Sequence, residues 1–73
     1  MQRQLVESTS LRSIAYDPTA FTLEVEFSHG GVYQYFNVPE VVFQGLLSAS
    51  SKGAFFQSHV RNAGFTYLQV ESK

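Results

Sequence analysis

The apolar positions along this chain change period as it proceeds. Phe21, Leu23, Val25 and Phe27 alternate with Thr22, Glu24 and Glu26, the period of two expected of a strand with one buried and one wet face. Ser28-His29-Gly30-Gly31 follows and reads as a turn, because glycine adopts positive φ without steric penalty. Val32 to Phe36 returns as the partner strand, so residues 21–36 are predicted to form a β-hairpin. Upstream, Leu11 to Tyr16 reads as a first strand closed by Asp17-Pro18-Thr19. Pro18 suits the second position of a turn, and the Asp17 carboxylate can accept hydrogen bonds from the backbone beyond it. Residues 1–10 are polar with little periodicity and are expected to be a loosely ordered lead-in.

After Asn37-Val38-Pro39 the spacing becomes helical. Pro39 suits a helix start and Glu40 complements the helix dipole. The helix should run to about Ala49 and bury Val42, Phe43, Leu46 and Leu47. Gly45 inside it costs about 1 kcal/mol relative to alanine, which implies close packing against the sheet or the next helix. Ser50 or Ser51 can cap a second helix from Lys52 to about Asn62, with Phe55 or Phe56, His59 and Val60 inward. Asn62-Ala63-Gly64 ends it, and Phe65 to Val70 completes the chain as a last strand. The β-β-β-α-α-β order predicts one α+β domain over residues 11–70: a small antiparallel meander with a central hairpin, a fourth C-terminal strand, and two helices on one face.

The parity of the hairpin loop decides where Tyr33 and Tyr35 point. A loop with an even number of residues sets them beside Glu24 and Glu26 on the outer face. A three-residue loop with a glycine bulge pairs Phe27 with Tyr33 and Val25 with Tyr35, turning both inward. Gln34 is a poor core residue, and its polarity favours the inward arrangement.

Composition narrows the function classes. At 73 residues this is one domain near the lower limit of independent folding. The chain has no cysteine, so neither a disulfide nor a thiolate site is available, and stability must come from a core rich in its seven Phe and four Tyr. Five basic and six acidic residues leave none of the basic surplus usual in proteins held mainly by phosphate neutralisation. No apolar run approaches the roughly 20 residues of a membrane span. The N-terminal residues lack the apolar stretch of a signal peptide, and a cytoplasmic protein is expected.

Several segments together resemble one family. They are Tyr16-Asp17, Leu23-Glu24-Val25-Glu26-Phe27, Gly31-Val32-Tyr33-Gln34-Tyr35, and Val38-Pro39, followed by Leu46-Leu47, Ala49, Ser51, Gly53, Phe56 and Val60-Arg61. In this order and spacing, over roughly Val6 to Phe65, the sequence resembles the KTSC domain. Gln57 stands where the resemblance leads one to expect Asn. That family is a module of small bacterial and phage proteins, also found at the C-terminus of some lysyl-tRNA synthetases. The resemblance implies no established activity, and its association with tRNA synthetases suggests RNA as a partner.

The residues offer candidates of their own. Tyr33 and Tyr35 share a side of the sheet and could stack bases, at about 1–3 kcal/mol each; the structural alternative is that they fill core volume. Ser50-Ser51-Lys52-Gly53 at a helix start could hold a phosphate, or be an ordinary capped turn with Lys52 in solvent. Arg61 and Arg12 are further candidate phosphate contacts. His29 and His59 lack ligand-spaced partners, so no metal site is expected. Nor does any nucleophile motif appear, and no catalytic residue or cofactor is expected. Two functions remain: an RNA- or single-strand-binding module using Tyr33, Tyr35, Lys52, Gly53, Arg61 and Arg12, or a protein-interaction or self-association module using a sheet edge or face.

Overall fold

A computed structural model describes residues 3–71. Seven elements follow one another: β1 (Arg3–Leu5), β2 (Leu11–Asp17), β3 (Thr22–Phe27), β4 (Val32–Tyr35), α1 (Glu40–Ser48), α2 (Lys52–Phe56) and β5 (Tyr67–Glu71). The second helix runs on past α2 into a single π-helical turn, Gln57–Arg61. The five strands form one antiparallel sheet in the order β1-β2-β3-β4-β5. Every strand therefore lies beside its neighbours in sequence, and both helices sit in the connection from β4 to β5.

The hairpin forms as its alternation dictates. Phe27 N–H donates to Gly31 O and Gly30 N–H to Phe27 O, each at 2.9 Å, so the loop is Ser28-His29-Gly30. Gly30 has φ of 112°, a conformation glycine adopts without penalty. The register pairs Val25 with Tyr33 and Leu23 with Tyr35. Both tyrosines thus face the core side, as the polarity of Gln34 implied. Their partners lie two residues earlier in β3 than the expected Phe27 and Val25, because Phe27 closes the loop opposite Gly31.

The core lies between this face and the helices. Ile14, Leu23, Val25, Val38, Leu46 and Val60 have no exposed surface, and Leu11, Phe27, Tyr35, Phe43 and Phe56 are nearly as buried. Each fully buried aliphatic or aromatic side chain contributes about 1.5–3 kcal/mol. Tyr16 stacks on Phe43 with centroids 5.1 Å apart and donates its hydroxyl to Val38 O at 2.5 Å. That bond ties the start of α1 to β2. Burial, then the nearby Glu40 and Asp17 carboxylates, push the Tyr16 phenol pKa up.

Several expectations are corrected. The lead-in contains a strand, β1, whose Arg3, Gln4 and Leu5 pair with Ala15, Ile14 and Ser13; its residues are exposed, so burial left no alternation to read. Arg3 binds Glu24 at 2.5 Å and lies 3.5 Å from Glu26. Phe21 is not an inward strand residue: it is 53 % exposed, with φ of 54°, and its carbonyl accepts from Val38 N–H at 2.9 Å. Thr22 is buried instead. The second helix is α-helical only to Phe56. His59 is exposed, stacked on Phe55 with centroids 4.1 Å apart, while Phe56 and Val60 point inward. The last strand starts at Tyr67 rather than Phe65, and with β1 the sheet has five strands rather than four.

Other local readings hold. Asp17 Oδ1 accepts from Thr19 N–H at 3.0 Å and Ala20 N–H at 3.3 Å. Ser51 Oγ accepts from Ala54 N–H at 3.4 Å, capping α2. Gly45 packs against the second helix, where a Cβ would lie 2.5 Å from the Phe55 ring tip. Gly45→Ala should therefore lower stability by about 1 kcal/mol or more through overpacking. In a Phe55→Ala background the same change should raise stability by up to about 1 kcal/mol, through helix propensity. Urea unfolding midpoints of the four variants measure this coupling, and a stabilising Gly45→Ala in the unaltered chain would refute it.

Candidate functional site

The sheet divides its polar groups by face. On the helix-free face, Glu24 accepts from Gln34 Nε2 at 2.9 Å as well as from Arg3 at 2.7 Å. Glu26 accepts from Ser13 Oγ at 2.9 Å and lies 3.9 Å from Arg12. Arg3 and Arg12 are thus neutralised locally by the two carboxylates. Lys52 is committed as well: its Nζ donates to Ala49 O at 2.9 Å. That carbonyl lies at the C-terminal end of α1, where a helix favours a cation. The charge that looks misplaced at the start of α2 is in place at the end of α1. Arg61 is the one basic side chain among the described residues with neither a carboxylate nor a carbonyl partner.

Arg61 borders a cleft of about 530 Å³, lined by Phe27, His29, Tyr33, Tyr35, Phe65 and Tyr67 among others. Strand register assembles the aromatic wall, since β4 pairs Tyr35 with Tyr67 and Tyr33 with Gln69. The ring centroids of Tyr33 and Tyr35 are 6.4 Å apart, those of Tyr33 and Tyr67 5.9 Å, and those of Tyr35 and Tyr67 5.5 Å. The His29 ring lies nearly parallel to Phe27 at 5.3 Å. Arg61 is carried by the π-helical turn, closed by Asn62 N–H donating to Gln57 O at 3.0 Å. Its guanidinium stands 5.8 Å from the Phe56 ring centre, a distance at which cation and π face attract.

The three tyrosines differ in role. Tyr35 is buried at 5 % exposure, Tyr33 is half-buried, and Tyr67 is 61 % exposed. Burial raises the Tyr35 phenol pKa; the Arg61 guanidinium opposes this, and the Tyr33 and Tyr67 phenols add to it. Tyr35 is therefore the floor of the cleft, and Tyr33 and Tyr67 are the rings with surface to offer a ligand.

Of the residues singled out from sequence, the fold brings Tyr33, Tyr35 and Arg61 together. Gly53 lies in an adjoining cleft of about 400 Å³ that also reaches Arg61, and a Cβ there would approach Ser10 Oγ to 3.1 Å. Arg12 and Lys52 stand outside both clefts, held by the contacts above. His29, Phe65 and Tyr67 were missed. Only the β4–β5 register reveals Tyr67, and no local motif announces it. Among the described residues no group of three or more His, Cys, Asp or Glu side chains could hold a metal ion. No helix among them is long and apolar enough to cross a membrane.

Comparison with known proteins gives a consistent result. The KTSC domain family matches residues 7–65. An uncharacterized protein of Stutzerimonas stutzeri (strain A1501) is 42 % identical over 71 residues, covering 97 % of this chain and all of that protein. A lysine–tRNA ligase of Nostoc sp. is 38 % identical over 64 residues, 88 % of this chain but 11 % of the ligase. Among solved structures, the crystal structure of a KTSC domain protein from Yersinia pestis superposes with a TM-score of 0.91 at 41 % identity, covering 96 % of this chain and 97 % of that one.

The unequal burial of the tyrosines sets their stability effects. Tyr35→Ala should cost about 3–5 kcal/mol, whereas Tyr67→Ala should cost about 1 kcal/mol or less, as read from urea unfolding. Equal losses would contradict this division. The phenols also set an alkaline limit. A raised folded-state pKa means that the folded chain keeps a proton which the unfolded chain releases. The contribution is complete below the ordinary phenol value of about 10 and disappears as pH rises through the folded values. Unfolding free energy should be level from about pH 7 to 9 and fall above about 10. The fall should be shallower in Tyr16→Phe and Tyr35→Phe.

Proposed function

This chain belongs to the KTSC domain family, and from that premise we propose that it is a small non-catalytic binding module for single-stranded RNA. The observation that carries the reading is Arg61. The described basic side chain left without a carboxylate or carbonyl partner opens onto a cleft walled by Tyr33, Tyr35 and Tyr67. Aromatic faces beside a guanidinium match a nucleotide's two parts, a stacking base and an anionic phosphate. Among the described residues no Asp or Glu lines this cleft. The relationship to part of a lysine–tRNA ligase supports RNA as the ligand class.

A second reading rests on the sheet edge beside the cleft, which shares Tyr67 with it. β5 is an edge strand whose Tyr67, Leu68 and Val70 are 61 %, 55 % and 43 % exposed. An apolar edge with unpaired backbone groups can accept a strand from another chain. Sedimentation that shifts to a dimer with rising protein concentration would favour this reading.

Titration with a short mixed-sequence RNA at low salt, followed by backbone amide shifts and tyrosine fluorescence, tests the RNA reading. Shifts should converge on Tyr33, Arg61 and Tyr67. Arg61→Ala should weaken binding at least ten-fold and lessen its salt dependence. Absence of binding at high micromolar RNA would sink the proposal.

A further inference from the structure

The aromatic cleft has a neighbour that deepens the RNA reading, on which this inference rests. A second cleft of about 400 Å³ opens on the other side of Phe27, His29 and Arg61, residues that line both. The stacked Phe27–His29 pair and Arg61 therefore form the wall between two depressions. Both volumes fall within the range of about 300–1,000 Å³ typical of small-ligand sites, and no Asp or Glu among the described residues lines either.

The two clefts have different chemistry. The first is walled by phenols and phenyl rings. The second presents the hydroxyls of Thr9, Ser10 and Ser28 and the amide of Gln57 around an apolar floor that includes Leu11 and Phe56. Between them stand a guanidinium and an imidazole. Aromatic faces, then cationic and N–H donors, then hydroxyl and amide groups follow the order of a base, its phosphodiester and the neighbouring ribose.

We propose that the two clefts are adjoining subsites for a dinucleotide step of single-stranded RNA. One base stacks on the exposed ring of Tyr67 with the tilted Tyr33 ring at its edge, the phosphodiester lies over the ridge against Arg61 and His29, and the next nucleoside occupies the second cleft with its 2′-hydroxyl near Gln57 and Ser10. The two subsites act together, since a dinucleotide fills both after losing its freedom once.

Titration of the intact protein with adenosine 5′-monophosphate, adenosine 3′-monophosphate and the dinucleotide ApA, by calorimetry and amide shifts, tests the arrangement. ApA should bind at least ten-fold tighter than the tighter mononucleotide, with shifts reaching Ser10 and Gln57 only for ApA. Gln57→Ala, at an exposed position, should remove most of that gain. The deoxy dinucleotide should forfeit part of the gain. Mononucleotide binding that ApA does not improve would overturn the two-subsite arrangement while leaving the aromatic cleft as a nucleotide site. Equal affinity for the deoxy dinucleotide would overturn the ribose assignment. Failure of every nucleotide and of longer RNA to bind would overturn both this inference and the reading beneath it.

Discussion

The reversal of the chain between Phe27 and Gly31 governs what every later residue does. Gly30 turns with φ of 112°, and the loop closes on the Phe27–Gly31 pair. One residue more or less in that loop would exchange the faces of β4. Tyr33 and Tyr35 would then face outward and Gln34 would enter the core. With the observed parity, Gln34 reaches Glu24 on the open face, and Tyr35 becomes the buried partner of Leu23. The cleft inherits this choice twice, because Tyr67 is placed by pairing with Tyr35.

A near-neutral chain can still present a local cation because its charges are sorted in space. Glu24 and Glu26 gather Arg3 and Arg12 on the helix-free face. Exposed pairs of this kind stabilise little, about 0–1 kcal/mol each. Their larger effect is to confine two carboxylates and two guanidiniums to one side of the sheet. Lys52 is absorbed by the end of α1. Arg61 is left exposed beside aromatic rings, where a guanidinium and a π face attract.

The strands that alternate were legible in the sequence, and so was the loop whose glycine fixed their faces. Gln34 pointed to the inward tyrosines because an unpartnered amide is costly in a core. β1 was hidden because Arg3, Gln4 and Leu5 are exposed and leave no burial pattern. Phe21 misled for the opposite reason: it continues the alternation of β3, but its φ of 54° takes it off the strand. Lys52 reads as a phosphate contact or a solvated side chain at the helix it begins, while its partner belongs to the helix before. The candidate site was half visible. Tyr33, Tyr35 and Arg61 are conspicuous as residue types, but Tyr67 joins them only through long-range register, and His29 only through its stack on Phe27.

The π-helical turn at Gln57–Arg61 has a consequence for how length variation is tolerated in this chain. A π turn closes over one residue more than an α turn, so it acts as a stored insertion within the helix. Removing one residue from Gln57 to His59 would let the helix continue at 3.6 residues per turn. Val60 and Arg61 would keep their directions after such a cut, because five residues in a π turn and four in an α turn each advance the chain by about one turn. A kindred sequence one residue shorter at this point would thus still hold Val60 in the core and Arg61 at the aromatic wall. A gap there leaves both fold and cleft intact.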